Sequence, residues 1–105
     1  MVKIRGINIY PQAVGPILEK QDDFTGQFIC IALRDDSGRD EIKVKIETRY
    51  DTDDSELAIS YQKLLKQCFG VEMTVELVSP GALTRLTGIE TRQKPIRLID
   101  QRFTQ

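Results

Sequence analysis

Lys94, in the polar stretch Gln93-Lys94-Pro95, and the pair Arg5-Gly6 near the start of the chain are of residue types that could meet a charged ligand. A lysine ammonium stabilises negative charge developing on carboxylate or phosphate oxygens without accepting a proton. A glycine lets backbone approach a ligand closely, because no Cβ intervenes. Arg97 supplies a second cation near Lys94, suited either to an anion or to an ion pair on a short strand. Ordinary readings stand beside these: Lys94 as a solvated loop lysine, and Gly6 as a residue that only permits positive φ in a tight turn.

Several chemistries are excluded. The chain has no histidine, which removes histidine-dependent triads, histidine metal sites and an imidazole switch near neutral pH. Its two cysteines, Cys30 and Cys68, lie far apart in apolar surroundings, without zinc or redox spacing, and read as buried reduced thiols; no metal site is expected. Fifteen basic and sixteen acidic residues give a net charge of −1, so the electrostatic footprint of a general nucleic-acid binder is missing. No apolar run approaches the roughly 20 residues needed to cross a bilayer. No signal-peptide pattern opens the chain, and the cytoplasm is the expected compartment.

At 105 residues the chain is expected to be a single domain, residues 1–105, with one core. Lys3 to Ile9 reads as two extended segments joined by a turn at Gly6, followed by a separate turn over Pro11 to Ala13. A helix is expected to start near Val14 or Gly15, which places Pro16 in its first turn, where a missing N–H does no harm. Tyr10 is expected to pack in the core at the helix entry.

Gln27 to Arg34 is apolar on both faces, as in a central strand, and Asp35-Asp36-Ser37-Gly38 supplies turn chemistry. Asp40 to Thr48 alternates, with Ile42, Val44 and Ile46 on one face, and completes an antiparallel hairpin. Acids over Asp51 to Glu56 suit the start of a second helix, whose stripe is Leu57, Tyr61, Leu64, Leu65 and Cys68 and which Gly70 stops. Val71 to Val78 alternates again. A last short apolar run lies at Ile96 to Ile99. The order strand, helix, strand, strand, helix, strand predicts an α+β, ferredoxin-like βαββαβ fold: an antiparallel sheet with two helices on one face, plus a short C-terminal strand.

Three segments carry a family resemblance. MVKIRGINIYPQAVGPILEK resembles the opening of the small C-terminal domain of phenylacetate-CoA ligases, where an Arg-Gly-Val-Asn-Val-Phe-Pro run leads into a helix. Glu72 to Leu83 resembles that family's Val-Glu-Leu-Val-x-Pro-Gly-x-Leu segment, and Lys94 to Asp100 resembles its terminal Lys-x-x-Arg-Val-x-Asp. The element order agrees over nearly the whole chain.

The resemblance implies an adenylate-forming enzyme that joins an arylacetate carboxylate to AMP from ATP (with Mg), releases pyrophosphate, and transfers the acyl group to coenzyme A. It implies that Lys94 is the adenylation lysine, that Arg5 and Gly6 form the turn on the CoA side, and that Arg97 is a second-rank anion contact. The approach to Lys94 differs: the family's short Pro-Arg-Ser-Glu-Gly segment is replaced here by the longer LTGIETRQ. It also implies a missing partner, the large N-terminal nucleotide-binding domain, so that the chain alone is inactive. ATP and CoA are not expected to bind tightly to it, and the arylacetic acid is the implied substrate.

A different class stays open: a regulatory module of the same fold that binds small effectors between subunits. Only the ligase reading expects Lys94 to matter. An exposed sheet edge would also allow the chain to form a homodimer.

Overall fold

The computed structural model describes residues 1–49, 55–88 and 96–102. Gly6 divides the N-terminal apolar segment into β1 (Val2–Ile4) and β2 (Ile7–Ile9), which pair with each other as an antiparallel hairpin, Val2 opposite Ile9. A single 3-10 turn, Pro11–Ala13, leads into helix α1 (Val14–Leu18). Pro16 falls in the first turn of α1, as its missing donor requires. Gly15 is needed for contact: a Cβ there would lie 3.2 Å from Cε1 of Phe28, tighter than a packed core accommodates without movement.

Strands β3 (Phe24–Arg34) and β4 (Asp40–Thr48) form the central hairpin, joined by a turn in which Asp35 Oδ1 accepts from the backbone N–H of Ser37 and Arg39 at 2.9 Å. Helix α2 (Ser55–Phe69) crosses to β5 (Thr74–Val78), and a short helix α3 (Thr84–Thr87) precedes β6 (Leu98–Asp100). The acids expected to open α2 at 51–54 lie outside the described residues.

The α+β class holds, with the pairing β5-β4-β3-β6 in one four-stranded sheet. That sheet is mixed, not purely antiparallel: β3 and β4 are antiparallel, while β4 with β5 and β3 with β6 are parallel. The cause lies at the N-terminus. A segment folded back on itself at Gly6 cannot insert as one long strand between β4 and β5, so these two close up. The helix between them returns the chain to the same end of the sheet, which makes neighbours parallel.

Alternation sets the core. Phe28, Cys30 and Ala32 of β3, Ile42, Val44 and Ile46 of β4, and Val75 and Leu77 of β5 share one face, covered by the β1–β2 hairpin, α1 and α2 through Ile4, Ile9, Val14, Leu18, Tyr61 and Leu65. Ile29 and Ile31 point the other way and are still buried, and α3 packs against β3. This double cover explains the unbroken apolar run of β3. The strand begins at Phe24, earlier than the apolar run suggests, and a bulge between Phe24 and Phe28 absorbs Gly26, whose φ is +109°. Helix α2 buries Tyr61 and Leu65 and half-buries Phe69, a spacing of four that leaves Cys68 exposed, contrary to its expected burial. Tyr10 is also corrected: it is 54% exposed and is not a core residue. Its neighbours Ile9 and Pro11 are the buried ones, because extended backbone at Tyr10 turns its side chain outward.

Candidate functional site

Arg5 and Gly6 form the two-residue tip of the β1–β2 hairpin, since Ile4 pairs with Ile7. Their φ values are +52° and +82°, the left-handed pair that a tight hairpin turn of this length favours. Among the described residues Arg5 is the non-glycine residue with positive φ, an uncommon state for a side chain of its size. A hydrogen bond from Arg5 Nε to the carbonyl oxygen of Asp40, 3.0 Å, holds it there. Gly6 therefore meets a conformational need, and a Cβ built on it finds no heavy atom of the described residues within 4 Å. The tip is open to whatever lies over it.

Arg5 also lines a cleft of about 390 Å³ between the start of β4, the outer side of α2 and the approach to β5. Its polar lining is mixed: Gln62, Lys63 and Lys66 from α2 together with Glu41 and Glu72. Lys66 Nζ pairs with Glu72 Oε1 at 3.1 Å, an exposed contact of little energetic weight. Ile59, 49% exposed, adds an apolar wall. Such a cleft suits a ligand that carries both apolar length and anionic groups.

Arg97 is placed elsewhere. Its guanidinium stacks 4.6 Å from the centroid of the Phe28 ring, and its Nη1 donates to Phe28 O at 2.8 Å and to Gln27 Oε1 at 3.2 Å. Its own carbonyl accepts from Cys30 N–H at 2.8 Å, which seats the chain on β3 ahead of β6. Burial lowers its pKa. Arg97 thus brackets the bulged strand, and it borders a second hollow of about 470 Å³ with Pro11, Pro16, Phe24 and Phe28. It does not share the Arg5 cleft.

Lys94 lies outside the described residues. The described chain to either side is joined by a hydrogen bond from Ile96 N–H to Thr87 O, 2.7 Å, directly after α3. Among the described residues no group of three or more Cys, Asp or Glu is placed to hold a metal ion, and no helix is long and apolar enough to cross a membrane.

Sequence reasoning passed over an ion-pair cluster beneath the Arg5 turn. Asp40 Oδ1 accepts from Arg34 Nε at 3.2 Å and Oδ2 from Arg102 Nη1 at 3.0 Å, while Asp100 Oδ2 accepts from Arg102 Nη2 at 2.8 Å. The hydrogen bond from Arg102 holds the Asp100 carboxyl below the usual carboxylate range, and Asp100 in turn raises Arg102. The one local signal was Asp100 and Arg102 two residues apart at a strand end, where side chains share a face.

The model of the family described as AMP-binding enzyme C-terminal domain matches residues 6–102. The chain belongs to that family. No curated protein matches its sequence. Among solved structures, a domain of phenylacetate-coenzyme A ligase from Bacteroides vulgatus superposes with TM-score 0.77 at 25% identity, covering 95% of this domain and 91% of that chain. A 2-hydroxyisobutyryl-CoA ligase in complex with 2-HIB-AMP and CoA in the thioesterification state gives TM-score 0.78 at 25% identity, again over 95% of this domain but only 21% of the ligase chain. A fatty acyl-adenylate ligase, from work on the E. coli and L. pneumophila enzymes, gives TM-score 0.59 at 25% identity over 78% of the domain and 15% of that chain. The domain thus spans about a fifth or less of the longer ligases it matches, 21% and 15%.

Proposed function

We propose that this domain is the small C-terminal domain of an ATP-dependent acid–thiol ligase that activates an arylacetic acid, phenylacetate in type, as its acyl-adenylate and passes the acyl group to coenzyme A. The observation that carries this reading is the end-to-end likeness to the phenylacetate-coenzyme A ligase domain, 95% of one chain and 91% of the other.

In the first step a carboxylate oxygen of the acid attacks the α-phosphorus of ATP, and the bond to pyrophosphate breaks. Negative charge gathers between the two reactants. Lys94, as the adenylation lysine, would set its ammonium against that charge without taking a proton. In the second step the CoA sulfur attacks the acyl carbon, its proton leaves, and AMP departs. The Arg5–Gly6 turn would lie beside the pantetheine arm; the open space over Gly6 supports this, since backbone can approach a chain there without meeting a Cβ. Arg5 and the mixed cleft beneath it fit the anionic and apolar parts of CoA. Arg97 takes second rank, because its hydrogen bonds to Gln27 and Phe28 already commit Nη1.

Two sites far apart in sequence, Arg5–Gly6 and Lys94, fit a body that rotates over a large nucleotide-binding domain and presents each in turn. That large domain is the proposed partner, holding ATP with its magnesium and the acyl pocket. The cytoplasm, which supplies ATP and CoA, is the proposed compartment. A homodimer through the edge strands β5 and β6 is a weaker part of the same proposal.

Pyrophosphate exchange tests the reading. The isolated chain is expected to catalyse no ATP–pyrophosphate exchange, and its union with a nucleotide-binding domain is expected to give exchange that depends on phenylacetate. Robust exchange from the isolated chain, or exchange in the joined enzyme that ignores arylacetic acids, would contradict it.

A further inference from the structure

We infer that Arg102 is a positioning residue for the Arg5–Gly6 turn, acting with Asp40 as a clamp that ties the C-terminal end of the domain to its N-terminal tip; the inference rests on the turn serving thioester formation. Arg5 occupies a backbone state that few side chains adopt; the hairpin turn favours it, and an outside contact holds it. That contact is the Asp40 carbonyl, which accepts from Arg5 Nε at 3.0 Å. Asp40 is itself fixed through its carboxylate by Arg102 Nη1 at 3.0 Å.

The same Nη1 donates to the carbonyl oxygen of Lys3 at 2.8 Å, in the strand that delivers the chain to the turn. One guanidinium therefore grips both supports of Arg5, across separations of 62 and 99 residues. Arg102 is fixed in turn by Asp100, whose Oδ1 accepts from Nε at 3.0 Å and Oδ2 from Nη2 at 2.8 Å. Only 10% of its side chain is exposed, and its contacts to the carboxylates of Asp40 and Asp100 are charge-assisted. Arg102 is not among the residues that line either cleft.

The clamp is separable from the seating of the Lys94 end. Arg97 O accepts from Cys30 N–H, and Gln101 N–H donates to Ala32 O, both at 2.8 Å, so β6 stays on β3 without Arg102. Loss of the clamp should then disturb the CoA-side turn and spare adenylation.

The test uses the ligase in which this domain is joined to its nucleotide-binding domain, with thioester formation from supplied acyl-adenylate read against pyrophosphate exchange. Arg102→Gln should lower kcat/KM for CoA by about tenfold, on the scale expected when a binding surface shifts by less than an ångström, with exchange held within about twofold. Arg102→Lys keeps the charge but offers one nitrogen with three donors for the four contacts that Nε, Nη1 and Nη2 make, so it should stay close to the glutamine variant. Asp40→Asn keeps the carbonyl that holds Arg5 and loses the ion pairs; it should show the same selective loss, and it decides the matter if Arg102→Gln does not fold. Gly6→Val serves as the reference for the turn itself. If Gly6→Val slows thioester formation while the clamp variants do not, or if they slow both half-reactions alike, the clamp is overturned and the turn's role stands. If Gly6→Val leaves thioester formation unchanged, the turn's role falls and the clamp with it.

Discussion

Replacing Gly6 by alanine isolates backbone strain from packing, because the structure supplies almost no packing there. A Cβ at Gly6 meets no heavy atom of the described residues within 4 Å, so the folded state is expected to lose only through its φ of +82°. Left-handed backbone disfavours an L-residue by about 1–2 kcal/mol. Alanine also narrows the unfolded ensemble, which offsets about 0.4–1 kcal/mol of that loss. The net destabilisation should be about 1 kcal/mol, or a fall in Tm of roughly 4–8 °C for a domain of this size. Urea melts followed by circular dichroism, with matching slopes for the two proteins, would measure it. A neutral or stabilised variant would mean that the tip does not need positive φ. A loss above about 3 kcal/mol would mean that the new methyl strikes packed atoms, contrary to the open tip, since only core-scale disruption reaches such values.

Two further expectations concern the thiols. A maleimide reagent on the native chain should modify Cys68 and spare Cys30 until denaturant is added, since Cys68 is exposed and Cys30 is not; equal native reactivity would refute the placement of either residue. Burial, partly opposed by the charge of Arg97, pushes the Cys30 thiol from 9.0 up to about 12. The unfolded chain then releases this proton at lower pH than the folded one. Stability from Cys30 is complete below pH 9.0 and declines as pH rises toward about 12, with a slope approaching about 1.4 kcal/mol per pH unit. Burial, reinforced by the hydrogen bond to Asp23, raises Tyr61 as well and gives the same sign at higher pH. Urea melts of the wild type and Cys30→Ala between pH 8 and pH 10 isolate the cysteine contribution; parallel pH profiles would refute it.

Where one face or one turn governs the outcome, local sequence was enough to read it. The alternation of β4, the two-faced apolar run of β3 and the break at Gly6 each follow from a two-residue period or a single glycine. Position along the chain could not show that the first strand leaves the sheet, because that depends on whether β4 finds β5 or the N-terminal segment beside it, a choice made by non-local pairing. Cys68 was misjudged because a stripe of five apolar positions is wider than the face α2 actually buries, which runs through Tyr61, Leu65 and Phe69. The early start of β3 was hidden by Gly26, which interrupts alternation as bulges do.

The candidate site divides along the same line. The Arg5–Gly6 turn was visible because its conformation is local. Asp40 and Arg102 were not, since their pairing spans 62 residues and neither stands out among the 30% of residues that are charged. Arg97 was read as suited either to an anion or to an ion pair, and only the fold shows it stacked on Phe28.

The most direct measurement of the central claim, that one small domain serves two half-reactions through separate residues, is the partition of activity in Lys94→Ala within the joined ligase. Acyl-adenylate formation should fall by about a hundredfold or more, on the scale of losing a preorganised charge from a transition state, while thioester formation from supplied acyl-adenylate stays within about threefold. Equal loss in both half-reactions would show that Lys94 supports the domain as a whole and would contradict the account.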